Sequence, residues 1–414
     1  MNREIVKYLG SRFVPAIVNM AVIVLAIRFL GPAEYARYSL ILYSALLVIT
    51  LSFHWVQVSI LKFLGGMPRE TGVVMSRFFD LTILSAVLST LVILAVGIWY
   101  FHLPLLELIL VGLFAFLTHF CLFHQAVLQA YNRLVRTAIL EGSDQLIIMV
   151  VLLVGLFVFQ WKSAALLFSS LVIGLAGVLL LRIMIRVKGL LTIDLKHIYW
   201  DARFSAKVME YGYGITLWLF LSHLLMAVDR FTLMEVAGWQ EAGTYSAVKD
   251  LLFKGITFAS FPIYISYQAK VMNHWNSRHR QGAWDSVREA LSFELLVFIV
   301  VFIFFMVVKE ALFGNILQIP EADNWPVYLP LILGAFIWQA AMMLQRFVEL
   351  SYRQLVTLGA IVGVVAVNAV LNVIFVPVYG MMASSFSLLI SSILYTVVIA
   401  FLSWRAGRLK SEKP

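Results

Sequence analysis

The sequence contains long runs in which every side chain is apolar. Residues 147–159 and 295–308 contain no polar side chain that could form a polar face at helical or strand spacing. Neither run is therefore typical of an amphipathic helix or an alternating strand. The composition agrees, because 62% of the 414 residues are hydrophobic and 13% are charged, against about 25% charged in ordinary globular domains. In hydrocarbon every backbone polar group needs an internal partner, so these runs are predicted to be membrane-spanning helices.

Twelve segments are long enough to cross a bilayer. A spanning helix needs about 20 mostly apolar residues, and the alternation of a membrane β-barrel does not occur. The predicted fold class is therefore an all-α integral membrane protein with twelve transmembrane helices. The predicted segments are 10–30, 38–61, 77–100, 104–131, 138–160, 164–186, 211–236, 243–267, 290–313, 326–349, 354–376 and 381–404.

The basic residues predict the orientation of these helices. Of the 31 lysines and arginines, 24 lie in or at the edges of the N-terminal stretch, the even-numbered connections and the C-terminal tail. Because cytoplasmic loops carry an excess of lysine and arginine, both termini are expected in the cytoplasm. The formal net charge of +9 therefore reflects membrane topology, and it does not indicate a nucleic-acid partner.

The two halves of the chain share a short motif. Residues 31–39 (GPAEYARYS) and 238–246 (GWQEAGTYS) match in glycine, glutamate, tyrosine and serine, and each follows the first helix of a six-helix set. We interpret the chain as two homologous lobes in a parallel repeat, an arrangement typical of alternating-access carriers, although a short motif can also recur by chance. The predicted divisions are lobes at 1–186 and 211–404, a cytoplasmic linker at 187–210 and a cytoplasmic tail at 405–414.

Motifs of soluble enzymes are missing from the sequence. It contains no GxxxxGK phosphate loop, no GxSxG nucleophile motif and no HExxH zinc motif. A single cysteine, Cys121, excludes an internal disulfide framework and cysteine-based zinc or iron–sulfur sites. The chain is therefore expected not to be an enzyme, and to hold no cofactor or metal.

Charged residues lie well inside the seventh and eighth predicted segments. Asp229 and Arg230 precede the connecting turn, and Lys249, Asp250 and Lys254 follow it. A charge near the bilayer centre costs roughly 2.5–3.5 kcal/mol, so such residues usually face a partner or a water-filled cavity. An antiparallel pair of helices would bring the two groups together. We expect either a partly cationic cavity for an anionic headgroup, with an acid for proton or sodium coupling, or a structural lattice of ion pairs.

The fourth predicted segment carries a polar stripe. Thr118, Gln125, Gln129 and Asn132 recur with helical spacing on an otherwise apolar helix. The stripe is expected to face the interior of its lobe. Gln125 and Gln129 are candidates to bind sugar hydroxyls, but polar residues of this kind serve somewhat more often as interhelical hydrogen-bond partners.

Three stretches resemble the polysaccharide transporter branch of the multidrug/oligosaccharidyl-lipid/polysaccharide (MOP) exporter superfamily, the Wzx-like flippases of O-antigen and exopolysaccharide. They are residues 28–40, with Leu-Gly-Pro-x-Glu-Tyr; 229–246, with Asp-Arg and then Gly-x-Tyr-Ser; and 368–392, with Asn-x-x-x-Asn followed by Pro377 and Gly380. The helix count and the six-plus-six division agree with this family along the whole chain.

The resemblance implies a flippase that moves an undecaprenyl-diphosphate-linked oligosaccharide from the inner to the outer leaflet of the bacterial inner membrane. Transport would be coupled to H⁺ or Na⁺. Arg230, Lys249 and Lys254 would bind the diphosphate or acidic sugars, and Asp229 and Asp250 would serve in ion coupling. Besides membrane lipids, a polysaccharide polymerase and chain-length machinery are the expected partners.

Two other functions stay open. A drug or metabolite antiporter of the same superfamily would share the helices and lobes, but it is expected to use an acid in its first helix, and residues 10–30 contain none. A membrane glycosyltransferase or polymerase would handle the same kind of lipid. Such an enzyme is expected to carry its catalytic residues on a sizeable outer loop, and the predicted outer loops are short.

Overall fold

The computed structural model describes residues 3–64, 72–131, 133–184, 201–277, 279–319, 324–350 and 354–408. These residues form helices and connecting turns, and no strand occurs among them. A π-helical turn, Ala311–Ile316, extends the eighth helix. The helices are α1 (Arg3–Leu30), α2 (Pro32–Leu64), α3 (Gly72–Trp99), α4 (Leu105–Ala130), α5 (Leu134–Phe157), α6 (Ala164–Met184), α7 (Ala202–Asn276), α8 (Arg280–Glu310), α9 (Trp325–Leu350) and α10 (Gln354–Arg408).

Glycines divide two of these helices. Gly238, with φ 81°, separates α7a (202–237) from α7b (239–276). Gly380, with φ 55°, separates α10a (354–379) from α10b (381–408). Glycine has no Cβ, so it adopts a positive φ without the steric cost that other residues meet. The described part of the chain therefore contains twelve α-helical segments, which confirms the number predicted from the sequence.

The first residues of the repeated motif, Gly31 and Gly238, have the same backbone conformation. Their φ angles are 86° and 81°, and each glycine ends one helix immediately before the next begins. No neighbouring atom lies within 4 Å of a Cβ added at either position. Backbone conformation, and not close packing, therefore accounts for glycine at both places. The motif marks an equivalent turn in the two halves of the sequence.

The first compact unit comprises Met1–Val22 and Arg37–Phe220. Within it α3 packs on α4, and α6 packs on both α4 and α5. One core cluster is built around the rings of Phe53, Phe78 and Phe123. The hydroxyl of Ser59 donates a hydrogen bond of 3.0 Å to the carbonyl of Val208, which joins α2 to α7a.

The second compact unit comprises Ile23–Ala36 and Leu221–Pro414. The end of α1 and the start of α2 therefore belong to it, whereas the sequence placed them in the first lobe. The carbonyl oxygen of Pro32 lies where a Cβ of Gly243 would stand, so the absent side chain allows the two backbones to approach. In the same unit α9 packs along α10.

Nine helices among the described residues are long and apolar enough to cross a membrane, and a shorter apolar stretch runs from Pro15 to Leu30. Two of the nine, α7 and α10, contain two segments each because of their glycine breaks. Large apolar side chains such as Phe304 and Val307 are exposed on the protein surface, where lipid can solvate them. The chain is a multi-pass membrane protein.

Helix α7 begins inside the predicted linker. Asp201 accepts hydrogen bonds from the backbone N–H groups of Arg203 (2.9 Å) and Phe204 (3.2 Å), as an N-cap does. Its carboxylate also lies 3.1 Å from the guanidinium of Arg77 on α3. The bond from Phe204, followed by that from Arg203 and the charge of Arg77, lowers the pKa of Asp201. Residues 187–200 of the predicted linker lie outside the described residues.

Candidate functional site

The hairpin α7a–α7b places the predicted charged residues side by side. Asp229 and Arg230 of α7a contact Lys249 and Asp250 of α7b. The members of each pair are about equally far along the chain from Gly238, as two antiparallel helices require. Helix formation on both sides of one left-handed glycine is therefore enough to fix the register of these contacts.

One ion pair joins Lys249 to Asp229. The ammonium donates hydrogen bonds to Oδ2 of Asp229 (2.6 Å) and to the carbonyl of Met226 (2.9 Å). The hydroxyl of Tyr245 donates a further bond of 2.5 Å to the same carboxylate oxygen. The backbone N–H of Arg230 donates to Oδ1 (2.8 Å). Both oxygens of Asp229 are thus satisfied within the hairpin.

The second ion pair joins Arg230 to Asp250 in a bidentate arrangement. Nη2 of Arg230 donates to Oδ1 of Asp250 (2.6 Å), and Nη1 donates to Oδ2 (3.1 Å). Such fork-like pairs are stronger and more directional than single contacts. The hydroxyl of Tyr35, at the start of α2, also donates to Oδ2 (2.6 Å). Tyr35, which is far away in sequence, therefore adds a hydrogen bond to the charged group. We call Asp229, Arg230, Lys249 and Asp250 the α7 charge cluster.

The α7 charge cluster is almost completely buried and contains equal numbers of positive and negative groups. Relative exposure is 0% for Asp229, 1% for Arg230, 1% for Lys249 and 5% for Asp250. Buried ions lose hydration, and their pairing recovers that loss only when the geometry is good. The distances here meet that condition. The sequence left two alternatives open, a partly cationic cavity and a structural lattice of ion pairs. The observed arrangement corresponds to the lattice of ion pairs.

Lys254 is in a different environment from the cluster. It follows Asp250 by one helical turn on α7b, and its side chain is exposed. Its positive charge acts on Asp250. Of the three cations predicted to bind an anionic headgroup, Lys254 is exposed, whereas Arg230 and Lys249 are buried against carboxylates.

The polar stripe of α4 makes contacts inside the first unit. The amide of Gln125 donates a 2.7 Å hydrogen bond to Oε1 of Glu141 on α5. The hydroxyl of Thr118 donates to the carbonyl of Phe114 in its own helix (2.6 Å). Gln129 is half-buried, and Asn132 lies outside the described residues. At Gln125 the observed contact is the interhelical bond that the sequence analysis gave as the alternative to sugar binding.

Buried asparagines and serines connect α10a to α10b. The amide of Asn368 donates to the hydroxyl of Ser391 (3.0 Å), and the hydroxyl of Ser384 donates to the side-chain oxygen of Asn372 (3.2 Å). Glu241 of α7b reaches the start of α10b, where its Oε1 accepts the backbone N–H of Met381 (2.9 Å). An acid at a helix N-terminus is favourable for the helix dipole. These contacts organise the second unit.

Two buried polar groups were not predicted from the sequence. In the first unit, the guanidinium of Arg182 donates a 2.8 Å hydrogen bond to the carbonyl of Cys121. In the second unit, Glu294 of α8 is buried and accepts a hydrogen bond from the hydroxyl of Ser260 on α7b. Glu294 had a recognisable signal, because it is an acid within a predicted membrane segment. No group of three or more potential metal ligands occurs in the described part of the chain.

No family model and no curated protein sequence matches the chain. Its fold is similar to that of solved transporters. The inward-facing conformation of a multidrug resistance MATE family transporter of the MOP superfamily aligns with a TM-score of 0.74 at 12% identity, over 99% of this chain and 100% of that chain. The outward-facing conformation of a MATE family transporter aligns with a TM-score of 0.66 at 15% identity, over 99% and 96% of the two chains.

A third similar structure is a MOP superfamily transporter from Pyrococcus furiosus, described as having a binding pocket of reverse polarity that suggests a different function. It aligns with a TM-score of 0.68 at 12% identity, over 99% of this chain and 97% of that one. Identities this low establish the fold alone. The predicted fold class, all-α with twelve transmembrane helices in two lobes, is confirmed.

Proposed function

We propose that this chain is an alternating-access transporter that carries a lipid-linked oligosaccharide from the inner to the outer leaflet of a bacterial inner membrane. A diphosphate and several sugars cannot cross hydrocarbon unaided, because burying polar and charged groups without partners is costly. The observation that carries the proposal is the α7 charge cluster, which keeps two cations and two acids inside apolar helices. Charge at such a position is expensive and usually functional.

Lys254 is proposed as the first contact of the diphosphate, because its side chain is exposed one helical turn from the cluster. Arg230 and Lys249 would then exchange their carboxylate partners for phosphate oxygens. Both groups bind carboxylates in the observed arrangement, and a guanidinium accepts phosphate with the same bidentate geometry.

This exchange supplies a reason for ion coupling. When phosphate takes Arg230 and Lys249, the carboxylates of Asp229 and Asp250 lose their cations. A buried carboxylate without a partner is unfavourable, so each would take up a proton or Na⁺. The amides of Gln125 and Gln129 in the first unit are proposed to contact sugar hydroxyls, with Gln125 leaving Glu141 to do so.

The remaining proposals follow from the basic loops and the family resemblance. We propose that both termini lie in the cytoplasm, which the distribution of lysine and arginine supports. A surface-polysaccharide polymerase and chain-length machinery would act on the lipid-linked product in the outer leaflet. The chain itself is proposed not to be an enzyme and to bind no cofactor besides the coupling ion.

The test is lipid-linked glycan movement in reconstituted vesicles. Undecaprenyl-diphosphate oligosaccharide is included in the bilayer, and the fraction reached by an added membrane-impermeant glycosidase is followed over time. The wild-type protein is expected to transfer glycan to the outer leaflet faster than protein-free vesicles do. Lys254→Gln is expected to slow this transfer. The control is Lys270→Gln, which changes another exposed lysine of α7b, one that pairs with Glu289 of α8. This control is expected to leave the transfer rate unchanged. A wild-type rate equal to that of empty vesicles would overturn the proposal.

A second candidate is a cation-coupled drug or metabolite antiporter, which is favoured by the multidrug transporters among the similar structures. The same vesicles distinguish it. Counterflow of a fluorescent organic cation against an imposed proton or sodium gradient, without glycan transfer, would support the antiporter. The paired acids and cations of the α7 cluster, with no net charge, provide less attraction for an organic cation than an unpaired acid would.

A further inference from the structure

Glu294 is a buried acid outside the α7 charge cluster. It lies on α8 with 1% of its surface exposed, between side chains such as Phe293 and Leu295 that are themselves exposed toward lipid. Its Oε1 accepts a hydrogen bond from the hydroxyl of Ser260 on α7b. Its Oε2 is buried and has no hydrogen-bond partner within the described residues.

The charged and titratable groups farther along α7b, α8 and α9 are engaged with one another. On α7b, the hydroxyl of Tyr264 contacts the guanidinium of Arg346 from α9, and Arg346 also pairs with Glu349 at 2.5 Å. Lys270 of α7b pairs with Glu289 of α8 at 3.5 Å. In the described part of the chain, no lysine, arginine or histidine forms an ion pair with Glu294.

This environment differs from that of the α7 charge cluster in one respect. Asp229 and Asp250 each face a cation, whereas Glu294 has a single hydroxyl. An ionised carboxylate with one neutral hydrogen bond in a low-dielectric interior is strongly disfavoured, and such groups take a proton instead. Glu294 can therefore gain or lose a proton without breaking an ion pair. Asp229 and Asp250 cannot, because each is paired with a cation.

A small cavity of about 20 Å³ lies one helical turn from Glu294, lined by Ala290 of α8, Met343 and Arg346 of α9, and Tyr264 and Gln268 of α7b. This volume is about that of one water molecule, which needs two or more polar partners. Arg346, Tyr264 and Gln268 are polar residues of its lining. The cavity offers a place for water between Glu294 and the predicted cytoplasmic ends of these helices.

We propose that Glu294 is a proton-carrying site of the second unit. The carboxyl holds a proton in the conformation described here, and the O–H bond breaks to give a carboxylate and a hydrated proton when α7b and α8 separate enough for water to reach Oε2. The return of a proton from water restores the buried acid and the contact with Ser260. The coupling role of this proton rests on the proposed transport function, but its presence on Glu294 does not.

The first measurement is infrared spectroscopy of the full-length protein in a detergent without ester groups, in the carbonyl-stretch region of protonated carboxylic acids, because lipid esters absorb in the same region. The wild-type spectrum near neutral pH is expected to contain such a band, and Glu294→Gln is expected to lack it. Glu310→Gln, an exposed acid at the end of the same helix, is expected to keep the band. A wild-type spectrum without the band, or an unchanged band in Glu294→Gln, would overturn the site.

The second measurement records the interior pH of vesicles with a trapped dye while lipid-linked glycan is transported. Glu294→Gln, which imitates the protonated acid, is expected to move fewer protons per transported glycan than wild type, because Asp229 and Asp250 can still take up ions, whereas Glu310→Gln keeps the wild-type ratio. If wild-type vesicles transport no glycan while the infrared band is present, the proposed function fails and the proton site stands. If the variant retains full transport-linked proton movement, Glu294 does not carry the coupled proton.

Discussion

Lys249 Nζ lies 2.6 Å from Asp229 Oδ2, and this contact crosses the hairpin formed by α7a and α7b. Both side chains are fully buried. The opposite charges cancel, so the pair has no net charge. Because both groups are buried, water does not compete for the contact that joins the two helices. In the proposed transport cycle, a ligand that binds Lys249 would leave Asp229 to another cation, and this contact would link substrate binding to ion uptake.

The first prediction concerns the loss of one partner of that pair. Asp229→Asn leaves the ammonium of Lys249 buried without an anion, which is expected to lower the free energy of unfolding by about 3–5 kcal/mol. The double variant Asp229→Asn with Lys249→Gln removes both charges and is expected to recover most of this loss. Unfolding in detergent by chemical denaturant measures both. Strictly additive effects of the two single substitutions would contradict the pairing.

The second prediction concerns Tyr35, whose hydroxyl donates to Asp250 from the start of α2. Tyr35→Phe removes a hydrogen bond to a charged group and is expected to cost about 1.5–3 kcal/mol of unfolding free energy. Tyr379→Phe serves as the control, because that side chain is 58% exposed and is expected to tolerate the change. Equal stability of the two variants would show that the Tyr35 contact contributes nothing.

The helices and the charged hairpin could be predicted because both depend on local sequence. Apolar runs of spanning length identify helices without knowledge of their neighbours, and Gly238 lies between two pairs of charges at similar distances along the chain. Several of the predicted segments were nevertheless shorter than the helices. Helix α7b continues to Asn276, beyond the predicted end at 267, because hydropathy detects the part of a helix that suits lipid and not its polar extension.

Long-range contacts could not be predicted in this way. Tyr35 meets Asp250 across 215 residues, and a tyrosine at the start of a helix has no local pattern that indicates a buried acid as its partner. The inclusion of residues 23–36 in the second unit likewise depends on tertiary packing. Glu294 had a local signal, but its contact with Ser260 follows from how α7b and α8 pack.

The third prediction concerns the glycines of the repeated motif. Gly31→Ala and Gly238→Ala place a Cβ on left-handed backbone, and each is expected to lower the free energy of unfolding by more than about 1 kcal/mol. Gly359 lies inside helix α10a and also has no atom within 4 Å of an added Cβ. Gly359→Ala is therefore expected to stabilise by about 0.5–1 kcal/mol. If all three substitutions changed the free energy of unfolding in the same direction, backbone conformation would not explain why the motif has glycine at these two positions.

The last prediction is a pH dependence at the start of α7. The pKa of Asp201 is lowered, chiefly by the hydrogen bond from the N–H of Phe204 and with help from Arg203 and Arg77. An acid with a depressed folded-state pKa stabilises the fold at pH values above its unfolded-state pKa, about 3.9, and this contribution is lost as pH falls through the folded-state pKa. Asp201→Ala is therefore expected to melt at a lower temperature than wild type at neutral pH, with the difference shrinking below about pH 4. Asp285→Ala, which removes an exposed acid inside α8, is the control and is expected to melt close to the wild-type temperature at neutral pH. A difference between Asp201→Ala and wild type that stays constant from neutral to acidic pH would contradict the cap and its ion pair.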